Sequence, residues 1–454
     1  MSGRLNDAAL DALPAAVERP RYDRARARVG VVHLGLGGFH RSHEAFVFHQ
    51  LLQAGERGWA VTGVCMRSPE VRDQLAPQDG LYTLLVRGRE GSRAIVSGAI
   101  KRVLLAAEEP EAVIAAIADP AVALVTLTIT EKGYEPRGPA WPLLFGALED
   151  RRALDAPLTI LSCDNLVNNG ARTRDTLLAA IDDPLLARWV ERNCAFPSSM
   201  VDRITPVTTP ADLDEVERRL GVRDEGAVVT EPFWQWVVED TFAGLRPPLE
   251  TAGVEMVADV APFEQAKLRL LNAAHSTMAY VGLSLGLDHV HQAVGLPPLR
   301  ALVERLWDEA VETMTPADGL DTDDYRTALI ARFENPALAH RLLQIAEDGS
   351  RKLPERILKP LEERTVADRD SPAMVFALAA WLNCIELGAV PLVDPNLGLL
   401  RDKIKGDGFA AMGQAGMIAD PAWVYPPLRR ALADQRKRIR DQGIAEALVE
   451  LLRG

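Results

Sequence analysis

Lys267, Asn272 and His275 fall within one stretch, FEQAKLRLLNAAHS, and their types suit the oxidation of an alcohol. That chemistry needs a base for the hydroxyl proton and donors for the alkoxide that develops as the hydride leaves. A lysine serves as the base when burial or a neighbouring cation lowers its pKa. An amide such as Asn272 donates to the oxygen without competing for the proton, and His275 can hold a neighbouring hydroxyl. On an α-helix, at about 100° per residue, the three fall near 0°, about 140° and about 80°, a broad shared face. Without other context the same residues read as a snorkelling lysine, a helix-surface amide and a core histidine.

A second set of residues could hold a nucleotide. Gly35-Leu36-Gly37-Gly38-Phe39-His40-Arg41 follows the apolar run Arg28–Leu34. Gly35 permits a tight turn, and Gly37 lets the backbone approach a pyrophosphate at a helix start. The third glycine of the usual fingerprint is absent, with His40 in its place. Met66-Arg67-Ser68-Pro69-Glu70 closes the next apolar run without an acid at its tip, so Arg67 suits an NADP phosphate, the adenine or plain solvent. A third cluster, Asp164-Asn165-Leu166-Val167-Asn168-Asn169-Gly170, reads either as a ligand-facing strand end or as an Asn-Gly turn. His289 and His291, with Asp288 as the nearby acid, read as a polar loop rather than a metal site.

The elements that must position these residues change character along the chain. Arg28–Leu34, Trp59–Met66, Ala121–Thr130 and Leu158–Cys163 read as strands, with helical patterns at His43–Ala54 and Pro110–Ile117 between them. Alternation of strands and helices predicts a doubly wound parallel sheet, and continuous apolar runs predict strands covered on both faces. After about Pro262 helical spacing takes over. The expected architecture is α/β: a Rossmann-type dinucleotide-binding domain over 1–257 and a mostly α-helical substrate-binding domain over 258–454, with a cleft between the two as the expected site.

Composition excludes several classes. Of the 454 residues, 48% are hydrophobic and 25% charged, a globular mixture and not a disordered one. Acids outnumber bases 64 to 51, a net charge of −13 with scattered Arg, so no nucleic-acid partner is expected. Cys65, Cys163, Cys194 and Cys384 form no C-x-x-C pair, which argues against zinc or a disulfide framework and for a reducing cytoplasm. The polar, Pro-broken N-terminal stretch does not read as a signal peptide. The longest apolar stretch, from Phe376, contains Asn, Glu and Pro and does not read as a membrane span. A soluble, cytoplasmic monomer or small homo-oligomer is expected.

Taken together, GLGGFHRSH, QDGLYTL, TITEKGY, SCDNLVNNG, FPSSMVDRITP, TEPFWQWVVED, KLRLLNAAHS and DGSRKLP resemble the mannitol dehydrogenase family, polyol-specific long-chain dehydrogenases that include fructuronate reductase. The resemblance spans nearly the whole chain. It implies a metal-independent, NAD-linked oxidoreductase of a polyol or sugar acid. NADP stays open because the NAD-selecting acid is not evident. By motif, Lys267 matches the family's general acid/base, Asn165 and Asn272 its oxyanion-stabilising amides, and His275 a substrate-contacting histidine. Asp202 matches a residue beside nicotinamide and substrate, and Lys352 a lysine that reaches the substrate. Mannitol and arabinitol dehydrogenases tend to carry an Arg where Gln344 stands, so the segment is nearer the fructuronate reductase branch. The implied reaction interconverts D-mannonate and D-fructuronate, with mannitol or arabinitol as alternative substrates. A sugar acid needs a cation for its carboxylate, and Arg341, Arg351, Lys352 and Arg356 are the candidates. A nucleotide-binding sensor that has lost catalysis is the reading from another class.

Overall fold

The structure, a computed structural model, describes residues 3–135, 137–388 and 390–453. Two compact units divide the chain, Met1–Ala261 and Pro262–Gly454. In the first unit β1 (Val29–Leu34), β2 (Ala60–Cys65), β5 (Ile100–Leu105), β6 (Leu124–Leu127), β7 (Leu158–Ser162) and β8 (Cys194–Ala195) form a parallel sheet. Its order is β5-β2-β1-β6-β7-β8. The chain winds outward from β1 to β2 and β5, then crosses to β6, so the order reverses between β1 and β6. Ligands bind at the carboxyl ends of strands at such a switch point.

Side-chain alternation on these strands feeds two separate cores. Val31, Val61, Leu124 and Leu161 join one, while Val32, Val64, Val125 and Ile160 join the other. Burial on both faces is why the strands read as continuous apolar runs. Two small sheets complete the unit. The hairpin β3 (Tyr82–Gly88) and β4 (Gly91–Ser97) pairs with β10 (Val228–Thr230), and β11 (Gln235–Glu239) lies between β9 (Ser199–Asp202) and β12 (Glu255–Val257). The hydrophobic pattern alone had not indicated these two sheets.

The second unit is helical around one core. Helices Ala273–Ser284 and Pro372–Leu387 are buried on nearly every side, with Met278, Tyr280, Phe376 and Trp381 packed into the same cluster as Trp307 and Phe333. Among the described residues no helix is long and apolar enough to cross a membrane. One expectation is corrected. Lys267–Asn272 is a π-helical turn between the α-helices Ala261–Ala266 and Ala273–Ser284, so the spacing of 100° per residue does not hold there. A second π-turn occupies Pro354–Leu358.

Candidate active site

At the sheet's switch point the chain leaves β1 through Gly35, whose φ is +105°. A Cβ at Gly35 would lie 2.1 Å from the Thr128 carbonyl oxygen, so only glycine fits. The N–H groups of Gly35 and Leu36 both donate to the Val64 carbonyl, at 3.0 and 2.9 Å, which pins the turn to β2. Gly37 differs. A Cβ there would meet only the Gly35 carbonyl oxygen at 3.6 Å, so the space above it is open. Gly37 caps a short helix, Gly38–Ser42, that breaks at His43 and resumes over Glu44–Gln53. Phe39 stacks on His43 with ring centroids 5.1 Å apart. Arg41 is buried, and its guanidinium donates to the Gly37 and Gly226 carbonyls, so it braces the turn from within. A cavity of about 340 Å³ opens beside the turn, lined among others by Gly35, Arg67, Ser68, Thr128 and Lys132. Arg67 itself is exposed.

His40, where the third glycine would stand, is fully buried and stacks on His33 with centroids 3.4 Å apart. His33 Nδ1 lies 2.8 Å from the Thr126 hydroxyl and Nε2 lies 3.0 Å from that of Thr128. Thr128 in turn donates to the Gly35 carbonyl. A proton on Nε2 satisfies this chain, so the stacked imidazoles reach the glycine turn through one hydroxyl. Glu44, also fully buried, approaches His40 Nδ1 at 3.5 Å and His43 Nδ1 at 4.0 Å. Burial, aided by the Arg41 charge, pushes His40 down to about 3. His33 and His43 are likewise lowered, chiefly by burial.

At the carboxyl end of β7, Asp164 is buried and accepts the N–H groups of Ile129 and Thr130 and the Tyr134 hydroxyl, at 2.8–2.9 Å. Asn165 follows and is exposed. Its neighbour Asn169 is instead a structural clip: its amide donates to the Asp164 and Ser199 carbonyls and accepts the Ser199 N–H. Asp202 ends β9 in a buried position. Arg203 beside it donates to the Glu231 carbonyl and lies over the Phe46 ring.

In the second unit the π-turn carries Lys267 and Asn272. Its ladder joins residues five apart, as in the bond from the Ala273 N–H to the Leu268 carbonyl. Residues at that spacing stack nearly one above the other, which brings Lys267 and Asn272 closer in direction than α geometry would. Side chains take up carbonyls along the turn: Trp307 Nε1 donates to Leu270 at 2.8 Å and Arg356 to Asn272 at 3.4 Å. Lys267 and His275 are buried and Asn272 half-buried. His275 packs against Phe333 and His340, with centroids 4.8 and 5.2 Å away. Burial holds His275 far below its usual pKa, and the charges of Arg332 and Arg356 push the same way.

The second π-turn begins at Pro354, which has no N–H for the preceding turn and whose ring crowds it. Upstream, Gly349 lies so close to Tyr280 and Trp381 that a Cβ would come within 2.6 Å of both. Ser350 is fixed by Asp394, which accepts both its N–H and its hydroxyl. Lys352 is half-buried, with Nζ 3.4 Å from the Ile345 carbonyl. Arg356 is half-buried as well, and burial lowers it to about 10. Its Nη1 donates to Ser276 Oγ at 2.9 Å, and it forms no ion pair among the described residues. Arg341 and Arg351 are exposed. Sequence reasoning overlooked Arg332 and His340. No local spacing ties them to His275, and only the neighbouring blocks hinted at the region. His289 caps the helix Val290–Val294, and no group of three or more His, Cys, Asp or Glu among the described residues could hold a metal.

The chain matches the mannitol dehydrogenase Rossmann domain over residues 29–251 and the mannitol dehydrogenase C-terminal domain over residues 259–405. It is 38% identical to a mannitol 2-dehydrogenase of Pyricularia oryzae, over 82% of this chain and 81% of that one. It is 36% identical to the D-mannonate oxidoreductase of Escherichia coli, over 89% and 92%. The solved Pseudomonas fluorescens mannitol 2-dehydrogenase, a ternary complex with NAD and D-mannitol, superposes with a TM-score of 0.88 at 33% identity, covering 99% of each chain. A glycine turn at the switch point of a parallel sheet, with these relatives, defines an oxidoreductase acting on CH–OH groups. The chain belongs to the mannitol dehydrogenase family.

Proposed function

We propose that this chain is an NAD-linked dehydrogenase that interconverts D-mannonate and D-fructuronate. The observation that carries the choice of a sugar acid is Arg356, a half-buried guanidinium with no counter-ion among the described residues that touches the backbone of Asn272. A charge taken out of water needs a partner, and a substrate carboxylate is one that a guanidinium binds well. Arg341 and Arg351 face solvent, where a carboxylate contact contributes little. The D-mannonate oxidoreductase relative supports the same choice.

We assign the nucleotide to the first unit and the sugar to the second. The opening over Gly37 and Gly38 gives room for a pyrophosphate, and the 340 Å³ cavity suits the adenosine half. Gly35, Phe39, His40 and Arg41 shape that turn, and Arg67 borders the cavity. NAD, when bound, supplies the hydride acceptor. Lys267 takes the hydroxyl proton in oxidation and returns it in reduction, its burial being the condition under which an amine does so near neutral pH. The Asn272 amide donates to the same oxygen, a role that family resemblance also gives to Asn165. His275, neutral, holds an adjacent hydroxyl, and Lys352 and Asp202 keep the positioning roles implied by their motifs.

Steady-state oxidation of mannonate, altronate, mannitol and arabinitol, each with NAD and NADP, tests this reading. Mannonate with NAD should exceed mannitol by about ten- to a hundredfold in kcat/KM, the range of one charge-assisted hydrogen bond. Equal efficiency on mannitol would make the chain a polyol dehydrogenase, and NADH binding without any turnover would make it a sensor.

A further inference from the structure

His340 stands edge-on to His275, with an interplanar angle of 86°. Nδ1 of His340 and Nε2 of His275 are both buried, and neither has a hydrogen-bond partner among the described residues. Two orphaned ring nitrogens on adjacent imidazoles are an uncommon arrangement in a folded interior, where buried polar atoms are nearly always paired. The groups around them are cationic. Arg356 donates to the Asn272 carbonyl and to Ser276 Oγ, the residues that bracket His275. Arg332, buried at the end of the helix Thr322–Phe333, contributes a charge felt by both histidines. An imidazole held neutral donates from one nitrogen and accepts at the other, so the two orphaned rings with the Arg356 guanidinium beside them, which has no ion pair among the described residues, form a polar, cationic group that lacks an anionic partner. A carboxylate, with two oxygens and several lone pairs, is the ligand chemistry that answers such a group.

The geometry assigns His340 as a specificity-determining residue that, with Arg356, receives the carboxylate end of an open-chain sugar acid. The assignment rests on the reading of the chain as a sugar-acid dehydrogenase and adds to it the residue that tells the acid from the polyol. A hydroxymethyl group in the same place offers one oxygen and no charge, leaving donors unanswered, and buried donors without partners are what discriminate most strongly between related ligands.

The test uses the full-length protein and its His340→Leu, His340→Asn and Arg356→Met variants, with kcat and KM measured separately for mannonate and mannitol. His340→Leu should lower kcat/KM for mannonate by about ten- to a hundredfold, mainly through KM, while mannitol changes by less than about threefold. His340→Asn, which keeps a donor, should recover part of the loss, and Arg356→Met should erase the preference for the acid. Unchanged NADH affinity and melting temperature would exclude misfolding, and the Asn variant serves if the Leu variant does not fold. Equal losses on both substrates, or a mannonate preference that survives His340→Leu and His340→Asn, would overturn this assignment and leave the mannonate reading standing. Oxidation of polyols alone by the unaltered protein would overturn both.

Discussion

Around Gly37 the first unit offers backbone: peptide groups, a gap where a side chain would sit, and a helix start. Around His275 the second unit offers side chains, drawn from two π-turns, the end of a helix and a loop. The two constructions impose different constraints. A backbone cradle depends on residues that carry almost no chemistry, so its identity lies in conformation. A side-chain site depends on where long, flexible groups are held, and here that work falls to packing: Trp307 and Arg356 on the π-turn carbonyls, Tyr280 and Trp381 around Gly349, and Asp394 on Ser350. Shape recognition and proton chemistry are thus assigned to separate parts of the chain and should fail separately.

The sharpest break is expected at Lys267. Lys267→Ala should reduce kcat by about 10²–10⁴-fold, the usual loss when a general base is removed, with NADH affinity close to that of the unaltered protein. A primary amine added to the medium should restore part of the rate. Turnover near the wild-type value at neutral pH would remove Lys267 from the mechanism.

Next come the two glycines, which separate conformation from ligand. Gly35→Ala forces a Cβ into the Thr128 carbonyl at a φ of +105° and should destabilise the first unit by about 1–3 kcal/mol or more, seen as a lowered denaturant midpoint. Gly37→Val should fold normally yet raise the NADH dissociation constant by about tenfold or more, equivalent to about 1.4 kcal/mol. Unchanged NADH quenching by Gly37→Val would mean that the turn is structural and the nucleotide lies elsewhere.

Acid should distinguish the units more gently. The first contains His33, His40, His43 and His49, all with lowered pKa values, His40 to about 3 and His49 to about 4. The second contains His275, His291 and His340, also lowered, with His340 at about 4. An unfolded chain protonates these rings near about 6.5, while the folded one resists until far lower pH. The unfolded state then binds more protons, so stability is complete above about pH 6.5 and is lost as pH falls toward about 3–4. Because three of the first unit's rings crowd one buried cluster, hydrogen exchange at pH 5 against pH 7 should accelerate more in peptides from 29–65 than from 273–284. A uniform increase along the chain would contradict this. The smallest effect is the one expected from EDTA, which should leave the rate of both half-reactions unaltered. Inactivation reversed by zinc would bring His289 and His291 back as ligands.

Much of this architecture is legible in the residues because sheet strands buried on both faces leave unmistakable apolar runs. The structure keeps β1, β2, β6 and β7 where those runs fall, with ends that coincide or fall up to three residues short. The strands β8, β9, β10 and β12 leave little trace, since two to four residues cannot establish a period and their pairing is decided by distant partners. The hairpin β3–β4 also went unread, although Gly88 and Gly91 flank its two-residue loop, because burial along most of β3 leaves no clean alternation. Lys267, Asn272 and His275 sit in one short segment and can be grouped from the sequence, although the α spacing that put them on one face does not hold across the π-turn. Arg332 and His340 cannot, because their proximity to His275 is three-dimensional: His340 meets it directly, edge to face, from a segment 65 residues away. The π-turns are also invisible to a hydrophobic pattern, as both lie in ordinary helix-forming sequence, and Pro354 is the single letter that hints at one of them.

The π-turn at Lys267–Asn272 has a consequence for how the chain tolerates change in length. A helix that accommodates one residue beyond α spacing has its upstream and downstream halves out of phase by about 100°, and that phase difference is what sets the direction of His275 relative to Lys267. Removing any one residue between Leu268 and Leu271 would let the ladder relax to plain α geometry, with both flanking helices intact. The helix would survive, and His275 and everything beyond it would keep close to their present direction, because eight residues across the π-turn and seven at α spacing reach nearly the same angle. Length here acts as an angular coordinate: a single deletion leaves Lys267 and His275 aligned, whereas a single insertion with no second π-turn to absorb it would aim them about 100° apart.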